Sequence, residues 1–269
     1  MRRRSFLKTA AAGSFFLNSS KIFAQDFDLI IRGGRVIDPS LNFDTVADVG
    51  ILNGRIKNIA SSIVSDGADE INAVNKIVMP GLLDIHSHYA QDDQGPHICL
   101  SDGVTGWEDA VSAAADNIDE IVAVARSAPQ PARILLNIGR LGVIPEGDTA
   151  DISLANVEVA KSAIARNLDY VVGVKARLTS GVTANDILVI RRAQEVASYF
   201  KLPLMIHMGQ SESTMPSLLA ELKPGDVVTH MYAPPPTAIT NTSGRPSKTL
   251  ATPVRGTAPP PKCAIFKPP

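Results

Sequence analysis

The sequence predicts an α/β protein in which a small β domain precedes a series of parallel strand–helix units. Residues 27–76 alternate apolar and polar side chains with glycines between the runs, as is typical of short strands joined by tight turns. From residue 77 to residue 230, apolar runs alternate with segments of helical period, which indicates βα units. A chain of 269 residues can form a large core together with a small satellite domain.

The first domain, residues 27–76, is predicted to consist of short antiparallel strands. Asn53 and Gly54 stand between two apolar runs, and this dipeptide is a strong signal for a two-residue hairpin turn. The predicted strands are 29–31, 35–37, 48–52 and 55–59.

The second domain, residues 77–230, is predicted to contain six strands, four of which carry a histidine or a lysine at or near the carboxyl end. The helix at 186–200 has the clearest pattern, because apolar side chains recur along it with helical spacing. The stripe consists of Ile187, Ile190, Ala193 and Val196. The predicted strands are 80–89, 103–107, 133–139, 170–175, 202–207 and 226–230, and the predicted helices are 116–127, 155–167, 186–200 and 218–222.

The first strand of this series carries Asp84, His86 and His88. Alternate residues of a strand share a face, so these three side chains are expected to point the same way. Two imidazoles so placed can chelate one metal ion, with Asp84 orienting a ligand as a hydrogen-bond acceptor. The alternative is a pair of strand histidines that serve only the structure.

The segment from Pro80 to His88, Pro-Gly-Leu-Leu-Asp-Ile-His-Ser-His, resembles the opening motif of the amidohydrolase superfamily. Residues 28–39 resemble the N-terminal strand pair of the same superfamily, and the resemblance extends over about residues 28–231. It implies a metal-dependent hydrolase on a (β/α)8 TIM-type barrel. Because this chain supplies six βα units, the barrel is expected to be incomplete.

The resemblance also implies a set of metal ligands at the carboxyl ends of the strands, where barrel enzymes place their active sites. His86, His88, His207 and His230 match the four ligand histidines in order and strand position, and Lys175 matches the lysine of two-metal members. Lys175 is therefore expected to become a carbamate that bridges two divalent ions, with Zn²⁺ expected. A hydroxide shared by the two ions would attack the substrate carbonyl, which the ions polarise. The alternative for Lys175 is a strand-end lysine that extends into solvent.

The segments around Lys175, His207 and His230 look most like the dihydroorotase-related deacetylase branch, whose members hydrolyse N-acyl or O-acyl small molecules. The expected function is hydrolysis of an amide or acyl bond of a small molecule. A dihydroorotase-like cyclic amidase is the weaker alternative, since Ala90 replaces the arginine of the dihydroorotase pattern His-x-His-x-Arg. Arg177 shares a strand face with Lys175, and we predict that it either holds a substrate carboxylate or forms a salt bridge at the rim.

The resemblance leaves the catalytic group unassigned. The superfamily places a metal-binding, proton-transferring Asp at the end of its eighth strand, and no acidic residue follows Asp226 here. On this basis the chain is expected to be C-terminally truncated and impaired in activity. The alternative function is accordingly a metal-binding remnant without catalysis.

Both ends of the chain differ in character from the rest. Residues 1–24 are predicted to be a signal peptide, because the string from Arg3 to Lys8, Arg-Arg-Ser-Phe-Leu-Lys, resembles a twin-arginine export signal. The twin-arginine translocase would then deliver the protein to the periplasm, and the apolar stretch after the string is too short to anchor it in a membrane. Residues 231–269 contain ten of the 19 prolines and no acidic residue, which predicts a disordered or frame-shifted tail.

Charge and cysteine content narrow the function classes further. The formal net charge is −1, which gives no reason to expect nucleic acid or an anionic membrane as a partner. The two cysteines, Cys99 and Cys263, form neither a disulfide framework nor a zinc cluster. The expected partner is a small-molecule substrate, with oligomerisation left open.

Overall fold

The computed structural model of the protein describes residues 27–230. The predicted signal peptide, 1–24, and the proline-rich segment, 231–269, lie outside the described residues. The chain divides after Pro80 into two compact units, and each unit has its own core.

The first unit is a five-stranded sheet built around its first strand. That strand pairs antiparallel with the second, which pairs antiparallel with the third, while the fourth and fifth pair with the first in parallel. The strands are β1 (Leu29–Asp38), β2 (Phe43–Leu52), β3 (Arg55–Ala60), β4 (Asp69–Asn72) and β5 (Ile77–Val78).

The hairpin prediction for this unit is confirmed. Asn53 and Gly54 join β2 to β3 with positive φ values of 53° and 68°, the conformation that the tightest hairpin turns require. The prediction of antiparallel strands for residues 27–76 is wrong for β4, because the connection before it returns the chain in the direction of β1. The sheet also extends past the predicted boundary at residue 76, since β5 pairs with β1.

The second unit consists of one parallel sheet of six strands in chain order, with a helix after each of the first five strands. The prediction of a TIM-type α/β sheet is confirmed. Its elements are β6 (Leu82–Ser87), α1 (Gly95–Ser101), β7 (Val104–Asp109), α2 (Ile118–Ser127), β8 (Ala132–Asn137), α3 (Val157–Arg166), β9 (Val171–Leu178), α4 (Asp186–Phe200), β10 (Leu204–Met208), α5 (Met215–Ala220) and β11 (Val227–Thr229).

The residues of the strands alternate between two apolar layers. One set packs against the helices and forms the main core, in which Ile134, Leu136 and Val174 are fully buried. The other set, including Leu135 and Met205, forms a smaller cluster on the opposite, inner face of the sheet. Burial of each such aliphatic side chain contributes roughly 1.5–3 kcal/mol, so the two layers hold the strand ends in place.

Helix α4 begins and ends at the predicted residues. The side chain of Asn185 accepts a hydrogen bond from the Leu188 N–H at its start, and Lys201 adopts a left-handed conformation with φ of 58° at its end. Helix α1 was not predicted, because seven residues are too few to display a helical period. Among residues 27–230, every helix is too short or too polar to cross a membrane.

Three strand ends differ from the prediction near the candidate ligands. Strand β9 continues to Leu178, so Lys175 lies inside the strand instead of closing it. Strand β10 ends one residue after His207, and β11 ends at Thr229, so that His230 follows it with φ of 60°. The inner face of the sheet therefore carries Lys175 at mid-strand, with two histidines beside the carboxyl ends.

Candidate metal centre

Three imidazoles meet at the carboxyl ends of β6, β10 and β11. One ring nitrogen from each of His86, His207 and His230 lies within 4.8 Å of the other two. The ring centroids are 4.3 Å apart for His207 and His230, 4.9 Å for His86 and His230, and 6.2 Å for His86 and His207. The sheet thus curves enough to bring its first and last strands to one three-nitrogen cluster.

Lys175 lies directly beside this cluster. Its side chain is 0% exposed, and its Nζ is 3.0 Å from Nε2 of His86. Burial lowers the pKa of Lys175 to about 7, although the negative charge of Asp109 acts in the opposite direction. The alternative of a lysine that extends into solvent is wrong, because β9 runs on past Lys175 and buries it.

The imidazoles of the cluster are neutral at pH 7. Burial, followed by the charge of Lys175, lowers the pKa of His86 to about 4. Burial and the neighbouring His230 and Lys175 lower the pKa of His207 to about 3, and burial also lowers the pKa of His230. A neutral imidazole keeps a free lone pair on one nitrogen, which is the form that binds a metal ion.

His88 lies outside the group of three, and its predicted role as a ligand stays a prediction. Strand β6 ends at Ser87, so His88 directly follows the strand. His88 is exposed, with its ring centroid 6.0 Å from that of His86 and its Nδ1 3.5 Å from Nε2 of Gln91.

Asp84 also acts differently from the prediction. Its Oδ1 accepts a hydrogen bond from the backbone N–H of His86 at 3.0 Å, not from an imidazole ring. The carboxylate therefore shapes the backbone at the first ligand position, because an Asp that accepts from the N–H two residues on closes a local turn.

Asp109, the last residue of β7, is a functional neighbour that the sequence reasoning missed. It is 0% exposed and accepts hydrogen bonds from the backbone N–H groups of Ala90, Val111 and Ser112, at 3.0, 3.2 and 2.7 Å. It also accepts one from Oγ of Ser112 at 2.8 Å. It thus holds the segments after β6 and β7 together. No signal in the sequence marked it, because the predicted strand 103–107 ended two residues before Asp109.

Arg177 forms a salt bridge, one of its two predicted roles. Its Nη2 donates to Oδ1 of Asp148 at 2.7 Å, and Asp148 is 1% exposed. The other carboxylate oxygen of Asp148 accepts from Nδ2 of Asn137 at 2.9 Å. Arg177 pairs in register with His207, so the two residues occupy matching positions on neighbouring strands. Its role in substrate binding stays a prediction.

Among residues 27–230, no carboxylate belongs to the three-imidazole cluster. His97, which matched no ligand position in the sequence, lies exposed on α1 and outside the cluster.

Comparison with curated proteins finds deacetylases and dihydroorotases. The chain is 28% identical over 215 residues to a deacetylase of Enterococcus faecalis, a match that covers 77% of this chain and 57% of the relative. It is 31% identical over 192 residues to a dihydroorotase of Solibacter usitatus, covering 66% of this chain and 41% of the relative. The chain thus spans about half the length of these relatives. No family model matches it.

Comparison with solved structures finds the same architecture. The crystal structure of an adenine deaminase matches with a TM-score of 0.75 at 26% identity, covering 84% of this chain and 62% of that chain. The crystal structure of a dihydroorotase matches with a TM-score of 0.68 at 21% identity, covering 78% and 59%. At 21% identity, the similarity to this dihydroorotase structure supports the fold alone.

Proposed function

Because the chain belongs to the amidohydrolase superfamily and is related to its deacetylases and dihydroorotases, we propose that it is a metal-dependent hydrolase of small-molecule amide or acyl bonds. The observation that carries the proposal is the cluster of His86, His207 and His230 beside the buried Lys175. Deacylation of an N-acyl or O-acyl compound is the favoured reaction. Cleavage of a cyclic amide is the second candidate, supported by the similarity to a dihydroorotase.

The residues present fit a divalent metal ion. Three neutral imidazoles suit Zn²⁺ and similar borderline ions, which bind nitrogen at about 2.0–2.1 Å. When bound, such an ion polarises a carbonyl group and lowers the pKa of water from about 15.7 to about 7. His86, His207 and His230 would hold the ion, and their low pKa values keep protons from competing for the same nitrogens.

A second metal ion could bind if Lys175 were converted to a carbamate. Lys175 has its pKa lowered to about 7, so a large fraction of its amine is unprotonated near neutral pH. The unprotonated amine is the form that adds to carbon dioxide, and a carbamate on Lys175 would supply two oxygen donors next to His86. We propose that this carbamate and His88 complete a site for two Zn²⁺ ions.

The described residues around the cluster would bind and orient the substrate, and none of them is assigned a role in proton transfer. Asp109 holds the segments after β6 and β7. Lys175 and His207 occupy the inner face of neighbouring strands, where a bound acyl group would lie between the sheet and solvent. A protein that binds metal without catalysis differs from the proposed enzyme in turnover alone. Metal content and substrate hydrolysis therefore both need to be measured.

The test is metal analysis of the zinc-loaded chain, together with hydrolysis of an N-acetyl amino acid, an O-acetyl hydroxy acid and dihydroorotate. The combined His86→Ala and His207→Ala variant is expected to lose most of its zinc, since two of three clustered ligands disappear. His97→Ala is the matched control, because His97 is exposed on α1 and should leave the metal content unchanged. Undiminished zinc in the double variant would contradict the metal site, and zinc binding without turnover of any substrate would support the non-catalytic alternative.

A further inference from the structure

A small cavity on the inner face of the sheet takes no part in the proposed reaction. It has a volume of about 40 Å³ and lies between strands β6, β7 and β8. We propose that it binds a short-chain monocarboxylic acid of the size of acetate. The ligand's carboxylate would lie between Glu108 and Arg133, and its alkyl group would contact Leu83 and Ile85. This site goes beyond the proposed function, because it requires neither the metal ion nor turnover.

The register of the strands places Glu108 and Arg133 side by side on the inner face. Glu108 on β7 and Arg133 on β8 are register partners. Arg133 stands two residues before Leu135, whose side chain lies on the inner face, and alternate residues of a strand share a face. Both side chains line the cavity, and the positive charge of Arg133 acts on the carboxyl group of Glu108. An anion in the cavity would therefore meet a guanidinium on one side and a carboxyl group on the other.

The carboxyl group of Glu108 has no hydrogen-bond partner within residues 27–230, the part of the chain that the structure describes. The backbone carbonyl of Glu108 accepts from Oγ of Ser87 at 2.8 Å, but the half-buried side chain is unpaired. Burial raises the pKa of Glu108 to about 7, although the charge of Arg133 acts in the opposite direction. A carboxyl group that is partly protonated at neutral pH can donate a hydrogen bond to a second carboxylate, and the two then share one proton.

Apolar side chains form another wall of the cavity. Leu83 and Ile85 on β6 are 51% and 48% exposed, so the alkyl group of a ligand would cover apolar surface that water now reaches. Gly106 on β7 shapes this wall, because a Cβ atom there would lie 2.4 Å from Cδ2 of Leu83 and 3.4 Å from the carbonyl oxygen of Pro131. The missing side chain at Gly106 thus allows Leu83 to lie across the backbone of β7.

Size and charge restrict the class of ligand. One water molecule needs about 10–15 Å³ of cavity volume, so this cavity has room for about three waters or a molecule of about four non-hydrogen atoms. The charge of Arg133 disfavours a cation. Asp84, the third charged residue of the lining, already uses its Oδ1 to accept from the backbone N–H of His86. A short carboxylic acid has the required size, a charge opposite to that of Arg133, and oxygens that can accept the proton of Glu108.

The test compares the binding of acetate with that of acetamide, which has the same size and no charge. Titration calorimetry on the full metal-free chain at constant ionic strength, in buffers of different ionisation enthalpy, measures affinity and proton uptake. A parallel titration of the combined His86→Ala and His207→Ala variant separates the cavity from the imidazole cluster. We expect acetate to bind about tenfold more tightly than acetamide, as charge-assisted hydrogen bonds are about twice as strong as neutral ones. Acetate should also take up about half a proton at pH 7, because Glu108 is about half protonated before binding and fully protonated afterwards.

Two variants test the two polar groups separately. In the native protein the affinity for acetate should fall about tenfold for each pH unit above 7, as Glu108 loses its proton. Glu108→Gln keeps a hydrogen-bond donor but cannot titrate, so it should bind acetate without proton uptake and without this pH dependence. Arg133→Met should remove the preference for acetate over acetamide. Arg126→Met is its matched control, because Arg126 and Arg133 both lie over the ring of Tyr170 but only Arg133 lines the cavity. Far-UV circular dichroism establishes that each variant is folded, and Arg133→Gln replaces Arg133→Met if that variant is not.

Each outcome decides for or against the cavity without reference to zinc or turnover. Equal binding of the two probes, tighter binding of acetamide, or proton uptake that persists in Glu108→Gln overturns the inference. Acetate binding that disappears in the combined His86→Ala and His207→Ala variant also overturns it, since the anion would then be held at the imidazole cluster. Acetate binding that survives in this variant but depends on Glu108 and Arg133 supports the site, even in a chain that hydrolyses no substrate.

Discussion

Replacing Lys175 by Met is expected to stabilise the metal-free protein while it weakens metal binding. Lys175 is fully buried, and burial lowers its pKa from the ordinary value of 10.5 to about 7. The difference, 10.5 − 7 = 3.5 units, corresponds to about 5 kcal/mol at roughly 1.4 kcal/mol per unit, and to about 4 kcal/mol at pH 7. Met has a similar shape and no charge to desolvate.

The net gain is smaller than this, because Met loses the 3.0 Å contact between Nζ and Nε2 of His86. A hydrogen bond of this kind contributes about 0.5–1.5 kcal/mol. We therefore expect the free energy of unfolding to rise by about 2–4 kcal/mol at pH 7, in line with apolar replacements of other buried charged groups. The same substitution removes the amine on which a carbamate would form, so zinc content should fall.

The pH dependence identifies the cause of the gain. Between about pH 7 and pH 10.5 the unfolded chain holds a proton on Lys175 that the folded protein has released, so the stability of the native protein rises with pH. The advantage of Lys175→Met should therefore be greatest below pH 7 and disappear above about pH 10.5.

Urea unfolding followed by circular dichroism measures this, in buffer free of carbon dioxide and with a chelator present. Lys161→Met is the control, because Lys161 is paired with Glu158 and Glu195, contacts that raise its pKa. That variant should be slightly less stable than the native protein. A Lys175→Met variant that is less stable at pH 7, or whose advantage does not change with pH, would refute the reasoning.

Two further predictions concern acid and export. Because burial lowers the pKa of His86 to about 4 and that of His207 to about 3, the unfolded chain binds more protons than the folded one between about pH 4 and 6.5. The free energy of unfolding should therefore fall as the pH drops from 6.5 to 4, and a flat profile in urea unfolding would contradict this. We also propose that the string from Arg3 to Lys8 directs export, so that a reporter fused to residues 1–24 stays in the cytoplasm when Arg3 and Arg4 are replaced by Lys. Export that persists without the twin-arginine translocase would disprove it.

Sequence alone determined the features that depend on neighbouring residues. The alternation of apolar runs and helical periods predicted the six parallel strands and the bounds of α4, because both periods are local properties of the backbone. Asn53 and Gly54 predicted the β2–β3 hairpin, since few other residue pairs adopt positive φ in succession. The motif at Pro80–His88 and the strand-end positions of His207 and His230 identified the candidate metal ligands.

Tertiary structure decided which of those side chains meet. His86, His207 and His230 come together because the sheet curves, and His88, which directly follows β6, lies outside this group of three. The burial of Lys175 depends on β9 running three residues beyond it, a boundary that residue periodicity does not resolve. Asp148 meets Arg177 across 29 residues of sequence. Its position follows from the packing of two loops at the ends of β8 and β9, and no local pattern encodes that packing.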